Sequence, residues 1–205
     1  MPRRRDSRAR LFAAAAAEFA ARGYAGANMD RVARAARLNK AMIYYHFGSK
    51  AGLYREILAD MFGEVGRRVR IVAGSAASPD DKIRGFVEAI AGAAAERPHF
   101  PPIWLREIAE GAQHVDTPTL TYAKDVLATL GAIIDEGRAA GRFTPASPLL
   151  VHAGIVAPLM FFFVTERIRR KFERAGVAGA SQITREMVVA HVQRLALAVL
   201  EGRVA

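Results

Sequence analysis

The sequence predicts an all-α protein of about nine helices, with a small three-helix head at the N-terminus and a larger helical body behind it. Three observations lead there. Apolar residues recur at three- and four-residue spacing along most of the 205-residue chain and rarely alternate with polar ones, which favours helix over strand. Gly23, Gly48, the run Gly74-Ser75-Ala76-Ala77-Ser78-Pro79, Gly141 and Gly176 stand where periodic segments stop. The positive charge is gathered at one end of the chain.

The elements follow in order. A first helix is expected from about Ser7 to Arg22, capped by Asp6 or Ser7, with Leu11, Ala15 and Phe19 on one stripe and Gly23 as its left-handed stop. A short helix follows over about Asn28 to Ala36, capped by Asn28, with Met29, Val32 and Ala36 inward. Arg37-Leu38 make a tight connection to a third helix, about Asn39 to His46, which Phe47-Gly48 ends. Ser49 caps a long fourth helix reaching about Ile71. Beyond the Gly74–Pro79 linker, helices are expected over about 81–96, 103–111, 117–140, 148–174 and 181–200. Pro98, Pro101 and Pro102 break the chain before the second of these, and Pro148 suits the first turn of the fourth. The chain thus divides into a head at 1–48 and a body at 49–205, whose first part, 49–72, is a connecting helix.

Bulk composition removes several classes. Without cysteine there is neither a disulfide nor a thiolate metal site, which suits a reducing cytoplasm. The charged start is followed by Asp6 and Ser7 rather than an apolar core, so no secretory signal is expected. The longest apolar run, Leu149 to Val164, is interrupted by His152 and Pro158 and falls short of the roughly 20 residues of a spanning helix, so no membrane segment is expected. Of the net charge of +10, residues 1–50 hold eleven basic against three acidic residues, 11 − 3 = +8, leaving +2 for the other 155. A small segment with most of the charge suggests a polyanion for that segment alone, either nucleic acid or an anionic membrane surface.

Two short helices joined by a tight turn in a basic three-helix unit describe a helix-turn-helix. Its second helix, Asn39-Lys40-Ala41-Met42-Ile43-Tyr44-Tyr45-His46-Phe47, would enter the major groove. Helical spacing turns Met42, Ile43 and Phe47 inward and Asn39, Lys40, Ala41 and Tyr44 outward. Lys40 suits guanine edges or phosphate, and Asn39 a base or a cap; Ala41 and the Tyr44 ring suit thymine methyls or sugars. Tyr45, His46 and Lys50 stand at the far end, where phosphate is the natural partner. Lys50 also lies at a helix start that already favours an anion. Half-buried packing is the other reading of a Tyr-Tyr-His-Phe run.

From Ala13 to Leu58 the chain resembles the tetracycline-repressor-like (TetR) family of regulators. The matching residues are Phe19, Gly23, Tyr24, Met29, Val32, Ala33, Ala36, the run Ile43-Tyr44-Tyr45-His46-Phe47, Ser49-Lys50 and Leu53-Tyr54. The resemblance implies that Lys40, Ala41 and Tyr44 face the groove. It implies that Tyr45, His46, Lys50 and Asn28 hold the DNA backbone. Two departures stand out: Asn28 replaces the usual Ser or Thr, and Ala51-Gly52 replace acidic residues that would complete a capping box. Arg3, Arg4 and Arg5 form either a minor-groove arm or a disordered tail.

The body is nearly charge-balanced and aromatic. Phe161, Phe162 and Phe163 spread around a helix and cannot share one face. The resemblance implies an apolar pocket for a small, lipophilic effector, with Phe100, Trp104, Ile108, Leu127, Met160 and Phe163 as lining and His114, His152 and Glu107 as polar anchors. Ordinary core is the competing assignment for each. Ile183, Met187, Val188, Val192, Leu195 and Val199, with Leu149, Ile155, Val156 and Leu159 on the preceding helix, are expected to join two copies through a four-helix bundle. Such a homodimer would read a pseudo-palindromic double-stranded DNA operator and release it on binding the effector, as a cytoplasmic repressor. An enzyme is the second class, but the chain has no G-x-S-x-G, G-x-G-x-x-G or P-loop. His99, His114, His152 and His191 lack local metal-ligand spacing, so no catalytic residue, cofactor or metal site is expected. A basic module for membrane surfaces or protein partners is the third.

Overall fold

A computed structural model describes residues 2–203, with side chains from Asp6 onward. The side chains of Arg3, Arg4 and Arg5 therefore lie outside the described ones. Ten α-helices and no strand occur among the described residues: α1 Pro2–Gly26, α2 Met29–Ala35, α3 Ala41–Phe47, α4 Lys50–Ala73, α5 Pro79–Glu96, α6 Phe100–Ala109, α7 Thr117–Ala139, α8 Pro148–Val164, α9 Glu166–Arg174 and α10 Arg185–Leu200.

Four boundaries differ from the sequence expectation. α1 begins at Pro2 rather than near Ser7, so Asp6 and Ser7 lie inside the helix instead of capping it, and it continues to Gly26 across a kink at Gly23. α6 begins at Phe100, because Pro101 and Pro102 sit in its first turn, where a missing N–H costs nothing. The single helix expected from Pro148 to Arg174 divides at Thr165 with a bend of 65°. Thr165 Oγ1 there donates to the Phe161 carbonyl at 2.7 Å, and no α9 residue is buried, so nothing apolar holds that stretch on the core. The last helix starts at Arg185, where Thr184 Oγ1 accepts from Met187 N–H at 3.3 Å.

The chain forms two compact units, one of residues up to Phe62 with His99–Leu120, the other of Gly63–Pro98 with residues from Thr121 onward. In the first unit, α1, α2 and α3 pack on one another and α1 also packs on α6. Leu11, Phe19, Val32, Ile43, Leu53, Ile57, Leu58 and Ile103 are at most 1% exposed, each contributing roughly 1.5–3 kcal/mol of burial. The Phe19 and Tyr54 rings meet edge to face at 4.7 Å. The Tyr54 hydroxyl donates to Glu107 Oε1 at 2.6 Å, joining α4 to α6 through a carboxylate only 1% exposed. Burial, and then this bond, push the Tyr54 phenol well above the usual tyrosine range. Gly23 has φ +68°, a left-handed conformation that calls for glycine.

In the second unit, α5, α8 and α10 pack mutually. Ile83, Phe86, Val87, Ile90, Leu130, Ile133, Ile155, Leu159, Met160, Val192 and Leu200 form its core. Lys82, 6% exposed, donates to both Glu136 carboxylate oxygens at 2.7 and 2.8 Å. The stripe expected to join two copies is corrected in part. Ile155, Leu159 and Val192 are buried within the unit, while Leu149, Leu150, Phe161, Met187, Leu195 and Val199 are exposed. α8 is apolar on all sides, so periodicity could not say which of its faces stays outward.

Candidate nucleic-acid interface

α1, α2 and α3 set up one exposed helix. The turn before α3 closes on Arg37, whose φ of +52° lets Leu38 N–H reach the Ala33 carbonyl at 2.9 Å. Asn39 Oδ1 then accepts from Ala41 N–H at 2.8 Å and starts α3. Ile43 and Phe47 anchor that helix in the core. The opposite face carries exposed Asn39, Ala41, Tyr44 and Tyr45, the two tyrosines being 47% and 61% exposed, with partly exposed Lys40 beside them. Met42 is partly exposed rather than buried.

Charge on this face is held in exchangeable pairs. Lys40 Nζ donates to Asp30 Oδ2 at 3.0 Å, and that bond raises the lysine above its usual range. Both groups lie in solvent, where such pairs are weak and a phosphate or guanine edge can replace the carboxylate. Glu18 is held below the usual carboxylate range, chiefly by Arg31, whose Nε donates to it at 2.8 Å. Asn28 N–H donates to the same carboxylate at 3.0 Å, while Asn28 Oδ1 accepts from Asp30 and Arg31 N–H and caps α2.

Two predicted backbone contacts are engaged within the protein. His46 Nε2 lies 2.9 Å from Ser7 Oγ, bracing α3 on the start of α1. Lys50 Nζ donates to the Ala27 carbonyl at 2.8 Å and sits 4.8 Å over the Tyr24 ring, tying the α1–α2 loop to α4. Despite the missing capping box, Ser49 Oγ still accepts from Gly52 N–H at 2.9 Å. Gly52 has a role of its own, since a Cβ there would stand 2.2 Å from the Phe47 carbonyl oxygen. The Glu18–Arg31 brace and the Ser7–His46 bond escaped the sequence reading, because neither spacing is that of one helix face.

The predicted effector residues divide between the two units. Phe100, Trp104, Ile108 and His114 belong to the first; Leu127, His152, Met160 and Phe163 belong to the second. Phe100 and Trp104 both contact the Phe62 ring, with Trp104 at 4.8 Å, whereas Ile108 is 53% exposed. His114 Nδ1 lies 2.9 Å from Glu107 Oε1. His152 faces Phe86 at 6.4 Å, and burial lowers its pKa below the usual histidine range. Met160 is fully buried, and Leu127 and Phe163 are half-buried. Grooves on the second unit include one of about 660 Å³ beside Leu150, Leu195 and Val199, and one of about 540 Å³ beside Arg68, Glu88 and Arg185.

Comparison with known proteins identifies the family and the fold. Residues 11–57 match the bacterial regulatory proteins of the tetR family, and residues 79–193 match the tetracyclin repressor-like C-terminal domain. The HTH-type transcriptional repressor SCO4008 of Streptomyces coelicolor is 31% identical over 142 residues, 69% of this chain and 70% of that protein. The HTH-type transcriptional repressor NicS of Pseudomonas putida is 26% identical over 164 residues, 78% of this chain and 77% of its own. Among solved structures, a tetR-family regulatory protein from Rhodococcus RHA1 superposes with a TM-score of 0.76 at 18% identity, covering 95% of this chain and 96% of its own. The regulator PfmR from Thermus thermophilus superposes with a TM-score of 0.71 at 21% identity, covering 94% and 95%. The chain belongs to the tetR family of bacterial regulatory proteins.

Proposed function

We propose that this protein is a cytoplasmic, ligand-responsive transcriptional repressor that binds a pseudo-palindromic operator as a homodimer. The observation that carries the reading is the outer face of α3, where Lys40, Ala41, Tyr44 and Tyr45 project from a unit whose own core holds Ile43 and Phe47. Lys40, Ala41 and Tyr44 read base edges; Tyr45 holds phosphate, as do Asn28 and Lys50 once their internal partners exchange. Residues 1–48 read DNA, while 49–205 bind the effector and dimerise. The exposed apolar residues Leu149, Leu150, Met187, Leu195 and Val199 supply the surface for a second copy. A two-fold pair of α3 helices then meets successive major grooves about 34–36 Å apart. An apolar effector in the body, with His152 as the polar group beside Phe86, favours the arrangement whose heads no longer match that spacing.

The test is a gel shift on the promoter region of the protein's own gene, together with selection from a random DNA pool. A specific shift and an enriched palindrome are expected. Tyr44→Ala should relax base preference while leaving the salt dependence of binding unchanged. Absence of both shift and enrichment overturns the reading.

A further inference from the structure

We propose that the C-terminal end of α6 and the turn after it form a binding site for one divalent transition-metal ion, ligated by Glu107, Glu110 and His114. One donor atom from each of the three lies within 4.8 Å of the other two. Glu107 and Glu110 follow one another on the same helix face. His114 is returned to that face by a turn in which Gly111 (φ +79°) and Ala112 (φ +57°) are both left-handed and Ala112 N–H donates to the Glu107 carbonyl at 2.6 Å. Sequence spacing alone gives no hint of the site, because one histidine and two glutamates seven residues apart fit no common ligand pattern.

Charge balance is an independent pointer to a cation. Glu107 is 1% exposed, and no lysine or arginine forms an ion pair with it among the described residues. Its hydrogen-bond partners are neutral donors, Tyr54 O–H at 2.6 Å and the His114 N–H at 3.3 Å, besides the His114 ring, which carries charge only when protonated. Glu110 adds a second negative charge to the same place. A buried carboxylate is costly without a fixed counter-charge, and a dication bound between the two acids supplies one.

The donor set narrows the ion. Imidazole with carboxylates suits zinc and its first-row neighbours, and three protein ligands with water in the open positions is a familiar coordination. Donors on a tetrahedral ion at about 2.0–2.2 Å stand roughly 3.4 Å apart. His114 Nδ1 and Glu107 Oε1 are already 2.9 Å apart. Glu110 is exposed, so a side-chain rotation brings its carboxylate in without moving the backbone. The ion takes the Nδ1 lone pair of neutral His114, whose single ring proton then sits on Nε2, and it bonds Glu107 Oε1 in place of the Nδ1–Oε1 hydrogen bond. Tyr54 holds the other lone pair of Oε1 and fixes the carboxylate's orientation, as partners of metal-bound carboxylates do.

The experiment uses untagged full-length protein freed of metal with a chelator. Co²⁺ is followed by visible d–d absorption and Zn²⁺ by calorimetry. Saturable binding of one ion per chain at about 10 μM or tighter is expected. Glu110→Gln and His114→Gln should each weaken it by about tenfold or more while the far-ultraviolet circular dichroism is unchanged. His191→Gln, at an exposed histidine outside the cluster, should bind as the parent does. Glu110 is exposed, so its variant tests the site even if His114→Gln fails to fold. No saturable binding at millimolar metal, or equal affinity in parent and Glu110→Gln protein, overturns the proposal.

Discussion

Replacing Tyr54 with phenylalanine isolates the bond that fastens α6 to the helix-turn-helix unit. The ring contacts with Phe19 at 4.7 Å and Tyr24 at 5.1 Å need no hydroxyl and survive the change. What is lost is an O–H donating at 2.6 Å to a carboxylate that is 1% exposed. A hydrogen bond to an ionised acceptor is worth about 1.5–3 kcal/mol, and removing the tyrosine's own desolvation cost places the expected loss near the lower end, about 1.5–2 kcal/mol. For a chain of this length each kcal/mol lowers the melting temperature by about 2–4 °C, so a fall of roughly 3–8 °C is expected by circular dichroism at 222 nm. The same substitution in a Glu107→Leu background should cost almost nothing, because the acceptor is already gone. The bond also has a pH signature. Tyr54's raised phenol pKa, caused first by burial and then by Glu107, means that its stabilisation is complete below the unfolded value near pH 10 and drains away as pH rises beyond it. Tyr54→Phe should therefore show a shallower alkaline decline. A loss below about 0.5 kcal/mol, the scale of an ordinary surface change, would refute the reasoning, as would an equal loss with and without Glu107.

Three further outcomes follow from the same structure. Gly52→Ala, which normally stabilises a helix by about 0.5–1 kcal/mol, should here cost about 1–3 kcal/mol in urea unfolding, because the new Cβ would stand 2.2 Å from the Phe47 carbonyl oxygen; a gain in stability would contradict the packing described. Lys50→Ala should lower the thermal stability by freeing the Ala27 carbonyl and reduce the salt slope of DNA binding by about one, and an unchanged slope would remove Lys50 from the phosphate contacts. Hydrogen bonds from Arg67 and then Arg68 hold Glu64 at about 2, so its stabilisation is present above the unfolded value of 4.5 and is lost as pH falls toward 2. Glu64→Gln should flatten that limb of an acid titration, whereas identical acid curves for both proteins would show that the pair contributes nothing.

Much of the head was legible because its signals are local. The cap at Asn28, the left-handed Gly23, and the inward spacing of Ile43 and Phe47 depend on neighbours within one or two turns, and the structure has each where the sequence placed it. α8 was less legible, since an all-apolar helix carries no mark of which side stays outward. Ile155 and Leu159 therefore went inside while Leu149 and Leu150 stayed out.

By itself, the sequence determined the all-helical class, the basic unit with its two short helices, and the outward set at Lys40, Ala41 and Tyr44, because helical periodicity, caps and charge are properties of adjacent residues. Only the tertiary structure decided that Glu107 lies under Tyr54 and against His114, that Lys50 clasps the end of α1, and that Gly52 clears the Phe47 carbonyl. Those relations join residues on different elements or across the turn that ends a helix, where no helical repeat carries over, and only packing around the buried core brings them together.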